Sequence, residues 1–525
     1  MGNKFLNIQE ASAWASIFLG KNVTTSNISY LINYGCVSKF EQNGTTLISQ
    51  EELKSYYEQY KNARQINWQA KLGEDLNWAL SFDNIKEAET TKHVHRLHPY
   101  KGKFIPQLVE YFLDAHTDNF KKEIYFRPGD TVLDPFCGSG TTLVEANELG
   151  INAIGIDVSA FNTLISNCKI TKYEITSLKQ TITFITKALI DFHSHNIELF
   201  ERELIAELKI FNDAYFPVPE FKRKVRQKLI DGNEYGNTHA KLFTPIYDKL
   251  IKKYNIDLLT DTDRKFIDKW FLSNVKSELD FVFKEINKIE NPNIKNILCV
   301  ILSRTMRSCR ATTHADLATL LEPVTTTYYC TKHGKICKPI FSILKWWQTY
   351  SNDTIKRLTT FDSIRTDSRQ ICLTGDSRTI NIVEELEKRD LSLLNIIKDN
   401  KIKGIFTSPP YVGLIDYHEQ HAYAYELFGF KRNDNMEIGA MSSGQGKTAR
   451  DSYVNSIANV LINSKKYLAE DYNIFIVAND KYSLYDNIAE KAGLKIVNTY
   501  KRPVLNRTEK DKGAYSEIIF HMKEK

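Results

Sequence analysis

GDTVLDPFCGSGTTLVEANELGINAIGIDVSAFN, residues 129–162, decides the fold. A short apolar run ends on Asp134, a loop carrying Gly138 and Gly140 follows, and an apolar-periodic helix leads to a second run ending on Asp157. Strand, glycine loop, helix and strand in that order predict a βαβ unit, the start of a doubly wound parallel sheet. Glycines at the loop let the backbone approach a ligand, and the helix start offers free amides. An acid at the first strand end suits a ligand carrying an amine or hydroxyls and would repel a pyrophosphate. The loop departs from the dinucleotide fingerprint and lacks the lysine of a phosphate-binding loop. Asp157 stands where ribose hydroxyls are gripped in such sheets.

Outward from this unit, strand signals stop for nearly two hundred residues. They resume at QICLTGDS, KIKGIFTSPPY, NIFIVAND, LKIVNTY and AYSEIIFHM. The intervening residues, 175–369, carry helical periodicity. One sheet interrupted after its second strand by a large, mainly helical insertion is the simplest topology.

TSPPYVGLIDYHEQ, residues 407–420, directly follows the apolar KGIF. Two prolines remove backbone donors and freeze φ, so the segment neither continues a ladder nor begins a relaxed helix. It predicts a rigid turn at a strand end, where open α/β sheets handle ligands.

At 525 residues the chain implies two or three domains. With 42% hydrophobic and 26% charged residues it is a folded protein, and a net charge of +6 permits a polyanionic partner without demanding one. Eight unpaired-looking cysteines, no leader signal and no apolar run near the ~20 residues that cross a bilayer predict a reduced, cytoplasmic protein.

DPFCGSGTT and GIDVS, with TSPPY downstream, resemble the S-adenosylmethionine-dependent DNA amino-methyltransferases, which modify N4 of cytosine or N6 of adenine. The resemblance covers residues 95–175 and 370–525. It implies a Rossmann-like α/β domain with a mostly parallel seven-stranded sheet and S-adenosylmethionine as cofactor. Asp134, Pro135, Phe136, Gly138, Gly140 and Thr141 would hold the methionine end, with Phe104 and Lys103 of HPYKGKF beside them. Asp157 would hold the ribose. Asp376 would lie near the adenine amine, or be an ordinary helix N-cap before RTINIVEEL. Ser408, Pro409, Pro410 and Tyr411 would be the catalytic motif. Acceptors from the serine side chain and a following carbonyl would localise the lone pair of a conjugated amine, and Tyr411 would stack on a flipped base. Serine at 408 favours cytosine N4, with adenine N6 as the alternative. A catalytically silent DNA-binding regulator is a rival, as is an RNA or protein methyltransferase.

The motif order, cofactor half (95–174), insertion (175–369), catalytic half (370–525), resembles enzymes whose target recognition lies between the halves. Arg304, Arg307 and Arg310 at i, i+3 and i+6, followed by Lys332, predict a basic DNA-facing surface. A solvated helix face would give the same spacing. Cys330, His333 and Cys337, with Cys309 or His314 as a fourth ligand, match no standard finger, and free thiols are the expectation rather than a metal. GLIDYHEQHAYAYELFGF, with Asp416, Tyr417, His418 and Tyr423, would stack near a base or pack a core. IGAMSSGQGKTAR reads as a loop over the site.

Residues 1–60 carry two helices, an Asn43-Gly44 hairpin signal and a third helix opened by a Ser49–Glu52 capping box. They resemble the winged helix-turn-helix modules of the excisionase and MerR type. On that resemblance Thr25, Ser26, Asn27 and Tyr30 would face a major groove. Residues 61–94 read as a linker anchored by Trp68 and Trp78. Double-stranded DNA and a cognate restriction endonuclease are the implied partners.

Overall fold

The computed structural model describes residues 4–525 except 21, 74, 83–84, 86, 259–264, 317–319 and 506–513. Its strands, in chain order, are β1 (Phe5–Asn7), β2 (Phe40–Gln42), β3 (Thr45–Ser49), β4 (Thr131–Asp134), β5 (Asn152–Asp157), β6 (Tyr328–Cys330), β7 (Lys335–Cys337), β8 (Gln370–Thr374), β9 (Ile402–Thr407), β10 (Leu468–Ala478), β11 (Leu494–Pro503) and β12 (Ser516–Glu524). By packing, the chain divides into two units: Met1–Lys71 with Ile190–Glu278 and Arg307–Ile343, and Leu72–Leu189 with Leu279–Met306 and Leu344–Lys525. The expected single insertion domain is therefore split. Its two ends and the stretch Leu279–Met306 belong with the seven-stranded sheet, and the remainder with the N-terminal residues.

In the sheet-bearing unit the strand order is β11-β12-β10-β9-β4-β5-β8. β8, β5, β4, β9 and β10 pair in parallel, whereas β12 runs antiparallel to both β10 and β11. The sheet is thus mixed. Central strands read as near-continuous apolar runs because helices cover both faces. Alternation then sorts the side chains. Leu133, Ile154, Ile156, Ile405 and Ile474 join one core with Ile457 and Leu461 of the helix Lys447–Lys465. Phe406 and Phe475 turn the other way and meet Phe112 of the helix Pro106–Leu113, with ring centroids 5.7 and 4.8 Å away. Burial of a large aromatic of this kind stabilises by about 1.5–3 kcal/mol.

Strand register, more than the core, aligns the strand ends. Asp134 pairs with Gly155, and Asp157 with Thr374. β4, β5, β8 and β9 consequently finish along one sheet edge, and the residues that leave them converge there.

In the other unit, β1, β3 and β2 form an antiparallel sheet packed on the helices Ile8–Leu19 and Thr25–Asn33. Leu6, Ala15, Ile28, Leu31, Ile48 and Leu53 make its core. Asn43 and Gly44 both take positive φ, 51° and 75°, as a two-residue hairpin turn of the I′ type requires. Thr24 caps the second helix reciprocally with Asn27. Two expectations change here. The Ser49 hydroxyl accepts from the Glu52 amide, but the Glu52 carboxylate accepts instead from the Ser38 amide and hydroxyl at 3.0 Å. The third helix also runs from Gln50 to Leu72, past the expected boundary at 60, because its first stop signal is Gly73 at φ 96°. No helix among the described residues is long and apolar enough to cross a membrane.

Candidate functional site

The residues leaving the four strand ends line one cavity of about 820 Å³. Pro135 to Ser139 come from β4, Val158 and Ser159 from β5, Gly375 to Ser377 from β8, and Ser408 and Pro410 from β9. Tyr100 and Gly102 to Phe104 close another side.

The glycine loop is tied directly to the second acid. The Gly138 amide donates to Asp157 Oδ2 at 2.8 Å, while Asp157 Oδ1 accepts from the Ser159 amide at 2.8 Å and the Asn162 amide group at 3.1 Å. Gly138 has φ 52°, and a Cβ there would come 3.0 Å from the Tyr100 hydroxyl. A side chain at 138 would therefore fill the cradle between the loop and Tyr100. Gly140, at φ 75°, caps the helix Thr141–Glu148.

Asp134 lies beneath the cavity floor, 1% exposed. Its Oδ1 accepts from the Thr407 hydroxyl at 2.6 Å, and its Oδ2 is buried with no partner. Burial pushes the carboxyls of Asp134 and Asp157 up to about 6 each, against the hydrogen bonds that favour their charged forms. Lys103 lines the cavity and donates to the His95 carbonyl at 2.8 Å; burial lowers its ammonium to about 8. Phe104 packs edge-on to Phe406 with centroids 5.5 Å apart.

Asp376 lines the cavity and holds a bidentate pair with Arg378, whose Nε and Nη2 lie 2.9 and 2.7 Å from its oxygens. The N-cap alternative does not hold: the helix Ile382–Arg389 is capped by Asn381.

Ser408 and Pro410 face the cavity, and Pro409 is buried beside them. Tyr411 is placed otherwise than expected. It is half-buried against the core of Leu133 and Ile405, it is not among the cavity-lining residues, and its hydroxyl donates to Glu517 Oε1 at 2.9 Å. Glu517 is held in turn by Arg502 at 3.0 Å. Of the aromatic stretch that follows, Tyr417 lines the cavity and stacks on Tyr100 with centroids 5.8 Å apart, while His418 and Tyr423 are fully buried in the core. The Gly/Ser stretch is exposed but tethered: the Ser442 amide donates to Asp416 at 3.1 Å, and the Tyr482 hydroxyl to Gln445 at 2.6 Å.

The expected basic face is not formed. Arg304 is 7% exposed, paired with Asp353 at 2.6 Å and laid over the Tyr350 ring at 4.2 Å. Its helix ends at Cys309, so Arg310 falls beyond the periodic run; it is 6% exposed and donates to the Arg307 carbonyl at 3.0 Å. An arginine buried in a protein ion pair cannot neutralise a phosphate. Arg307 is half-buried and Lys332 exposed. Thr25, Ser26, Asn27 and Tyr30 are all exposed, with the Asn27 side chain engaged in the Thr24 cap.

Tyr100, Asn162, Ser377 and Glu437 also line the cavity, and none was singled out from sequence. Asn162 had a signal: five residues past Asp157, it sits in the first turn of the next helix, whose side chains return to the strand end. Glu437 had none. It accepts from the Tyr417 and His418 amides at 3.2 and 2.8 Å across a fold that only tertiary structure defines.

The comparisons with known proteins agree with this geometry. The family model described as DNA methylase, of the N6/N4 methyltransferases, matches residues 19–166. The type II methyltransferase M.MjaII of Methanocaldococcus jannaschii is 46% identical over 526 residues, 99% of this chain and 97% of that protein. M.MvaI of Kocuria varians is 23% identical over 76% of this chain and 72% of its own length. Among solved structures, the rRNA methyltransferase AviRa of Streptomyces viridochromogenes aligns over 83% of this chain and 93% of its own, at 10% identity and a TM-score of 0.26, too low to bear on the fold.

The cofactor of this family is S-adenosylmethionine, and the donor set fits it: a carboxylate at a strand end, a glycine cradle that a side chain would fill, and a buried carboxylate oxygen without a partner. With the fold, the cofactor cleft and a full-length relationship in agreement, the chain belongs to the type II DNA methyltransferases of the N6/N4 amino-methylating class.

Proposed function

We propose that this enzyme methylates N4 of cytosine at a specific site in duplex DNA, on a base turned out of the helix. The supporting observation is that Ser408 and Pro410 open onto the same cavity as Gly138 and Asp157. Acceptor motif and cofactor cradle thus share one space, and the Ser408 hydroxyl has no protein partner among the described residues.

S-adenosylmethionine supplies an electrophilic methyl group. The chain's own residues do the rest. Asp157 and the Gly138 loop bind the cofactor, Asp157 through its ribose hydroxyls. Ser408 Oγ and the Pro409 carbonyl accept the two amine hydrogens, which localises the nitrogen lone pair on the reacting atom. A carbon–nitrogen bond forms as the carbon–sulfur bond breaks, and the amine then releases one proton. Pro409 and Pro410 keep the acceptors from relaxing. Tyr411 acts by bracing the turn on Glu517 and β12 as well as by its ring face.

The exposed first turn at Thr25, Ser26 and Asn27 is the DNA-reading part of a winged helix-turn-helix module, and Lys332 contacts phosphate. A cognate endonuclease is the natural companion of such an enzyme.

Methyl transfer from labelled S-adenosylmethionine to unmethylated genomic DNA, followed by nucleoside mass spectrometry, tests the reading. N4-methylcytosine is expected. N6-methyladenine would keep the chemistry and overturn the base, and a labelled nucleoside only in RNA would overturn the substrate.

A further inference from the structure

The hairpin of β6 and β7 brings together four soft donors. Cys330 ends β6, His333 lies in the turn, Cys337 ends β7, and His314 arrives from the segment before the hairpin. Their ligand atoms all lie within 4.8 Å of one another. Cys330 Sγ is 3.6 Å from His333 Nδ1 and 3.8 Å from His314 Nδ1, and His333 Nδ1 is 3.4 Å from Cys337 Sγ.

Those separations are the edges of a metal tetrahedron. With Zn–S of about 2.3 Å and Zn–N of about 2.0–2.1 Å, tetrahedral geometry sets each sulfur–nitrogen edge near ~3.6 Å. The observed edges straddle it. Hydrogen bonding alone is a poor reason for the cluster, because thiols are weak donors and acceptors. No carboxylate takes part, which disfavours calcium or magnesium and favours zinc. Cys330 is 1% exposed and Cys337 8%, so the donors are shielded from water.

The local fold explains why the residues meet. The Gly334 amide donates to the Cys330 carbonyl at 2.7 Å, closing a tight turn in which Gly334 takes φ 65°. That turn points His333 back between the strands. The chain spacing is H-x15-C-x2-H-x3-C, which matches no common finger and hid the site in the sequence. The fourth position is filled by His314 and not by Cys309, the other residue the spacing allowed.

We propose that His314, Cys330, His333 and Cys337 bind one zinc ion as a closed, structural site. Four protein ligands leave no position for water, so the ion has no part in methyl transfer. It fixes the hairpin to the segment carrying His314. The same hairpin is held on its other side by Asn212, which exchanges hydrogen bonds of 2.9 and 3.0 Å with Ile336. Lys332 and Lys335 project from the turn and are exposed. Zinc would therefore hold a basic turn in one shape without touching the nucleic acid. One group competes for a ligand: the Tyr328 hydroxyl lies 2.8 Å from His314 Nδ1 and hydrogen-bonds with it when no metal is bound.

Elemental analysis of the full-length protein, purified from zinc-supplemented medium and dialysed, tests the site. One zinc per chain is expected. Cys330→Ser and Cys337→Ser should each lose at least nine-tenths of it, whereas Tyr328→Phe and Cys309→Ser should keep it. Because loss of a ligand could unfold the unit, a second measurement uses the unmutated chain with cobalt(II) in place of zinc. Strong visible bands of tetrahedral cobalt with thiolate charge transfer are expected. Folded protein with less than a tenth of a zinc per chain, or weak octahedral cobalt bands, would overturn the proposal. So would zinc retained in both cysteine variants. None of these readouts depends on methyl transfer or on which base is modified.

Discussion

The Thr407 hydroxyl donates to Asp134 Oδ1 across 2.6 Å, joining the last residue of β9 to the last residue of β4. One strand leads into the Ser408 turn and the other into the Gly138 loop. This buried hydrogen bond adds to the parallel pairing of Val132 with Gly404 and Leu133 with Ile405, and ties the two strand ends together beside the cavity.

On the proposed mechanism, Ser408→Ala removes an acceptor for the target amine and leaves the Gly138–Asp157 contact untouched. Turnover should fall on the order of 10²–10³-fold, as for loss of one preorganised polar group. S-adenosylmethionine affinity should change less than twofold. Equal losses in both, from single-turnover kinetics and calorimetry, would contradict the assigned role.

In the proposed ribose role Asp157 must be ionised to accept from two hydroxyls, and burial pushes its carboxyl up to about 6. Cofactor affinity should therefore weaken as pH falls through about 6. Asp157→Ala should cut affinity strongly at pH 8, and Asp157→Asn should flatten the profile between pH 5 and 7. A profile unchanged by Asp157→Asn would remove the ribose assignment.

Asp134 gives a stability prediction with a definite sign. Its carboxyl is raised by burial from the usual carboxylate range to about 6. The folded state thus holds its proton more tightly than the unfolded chain. The associated stability is complete below about pH 4 and is lost as pH rises to about 6. That rise corresponds to roughly 3 kcal/mol. Asp134→Asn should stabilise the cofactor-free protein at pH 8, leave it unchanged at pH 4, and weaken cofactor binding. Urea unfolding at the two pH values measures the difference.

Tyr411 separates a bracing role from a stacking one. Tyr411→Phe removes the hydroxyl that meets Glu517 and Tyr515, keeps the ring, and should lower stability by about 1 kcal/mol with a modest effect on turnover. Tyr411→Ala removes the ring as well and should lower turnover at least tenfold. Equal turnover in the two variants would mean that the ring face contributes nothing to catalysis.

For DNA binding, the exposed Ser26 and Lys332 contrast with the buried Arg304. Ser26→Glu suits a helix first turn, so weaker DNA binding at unchanged melting temperature would report a lost contact. Lys332→Ala should shallow the dependence of affinity on salt by about one unit of slope. Arg304→Ala should instead destabilise through its lost packing on Tyr350 and its lost pair with Asp353, which keeps Arg357, and leave the salt slope alone.

What sequence could reveal tracked the range of the interactions involved. The βαβ unit, the interruption and the return at QICLTGDS were legible because strand ends, glycine turns and periodicity are local. That Ser408, Pro410, Gly138 and Asp157 share one cavity was legible because each sits within a few residues of a strand end. Arg304 was misread because spacing along a helix reports which face a residue shares, and not whether an Asp353 half a hundred residues away covers that face. The antiparallel β12, the place of Glu437 in the cavity and the partner of Tyr411 depend on contacts between distant segments, and no local pattern encodes them. His314 joined the cysteines for the same reason.

The adjacency of β5 and β8 has a further consequence for how the protein comes into being. Asp157 is synthesised more than two hundred residues before Asp376, yet the Gly375 amide must close on the Asp157 carbonyl at 3.0 Å. Non-local pairings of this reach form late, because a long loop must be closed before they return any stability. A nascent chain stalled within the insertion would carry the glycine cradle without its far wall. The cavity wall formed by the residues after β8 and β9 is thus the last part of it to be made, and the cleft takes its shape only when the chain is nearly whole.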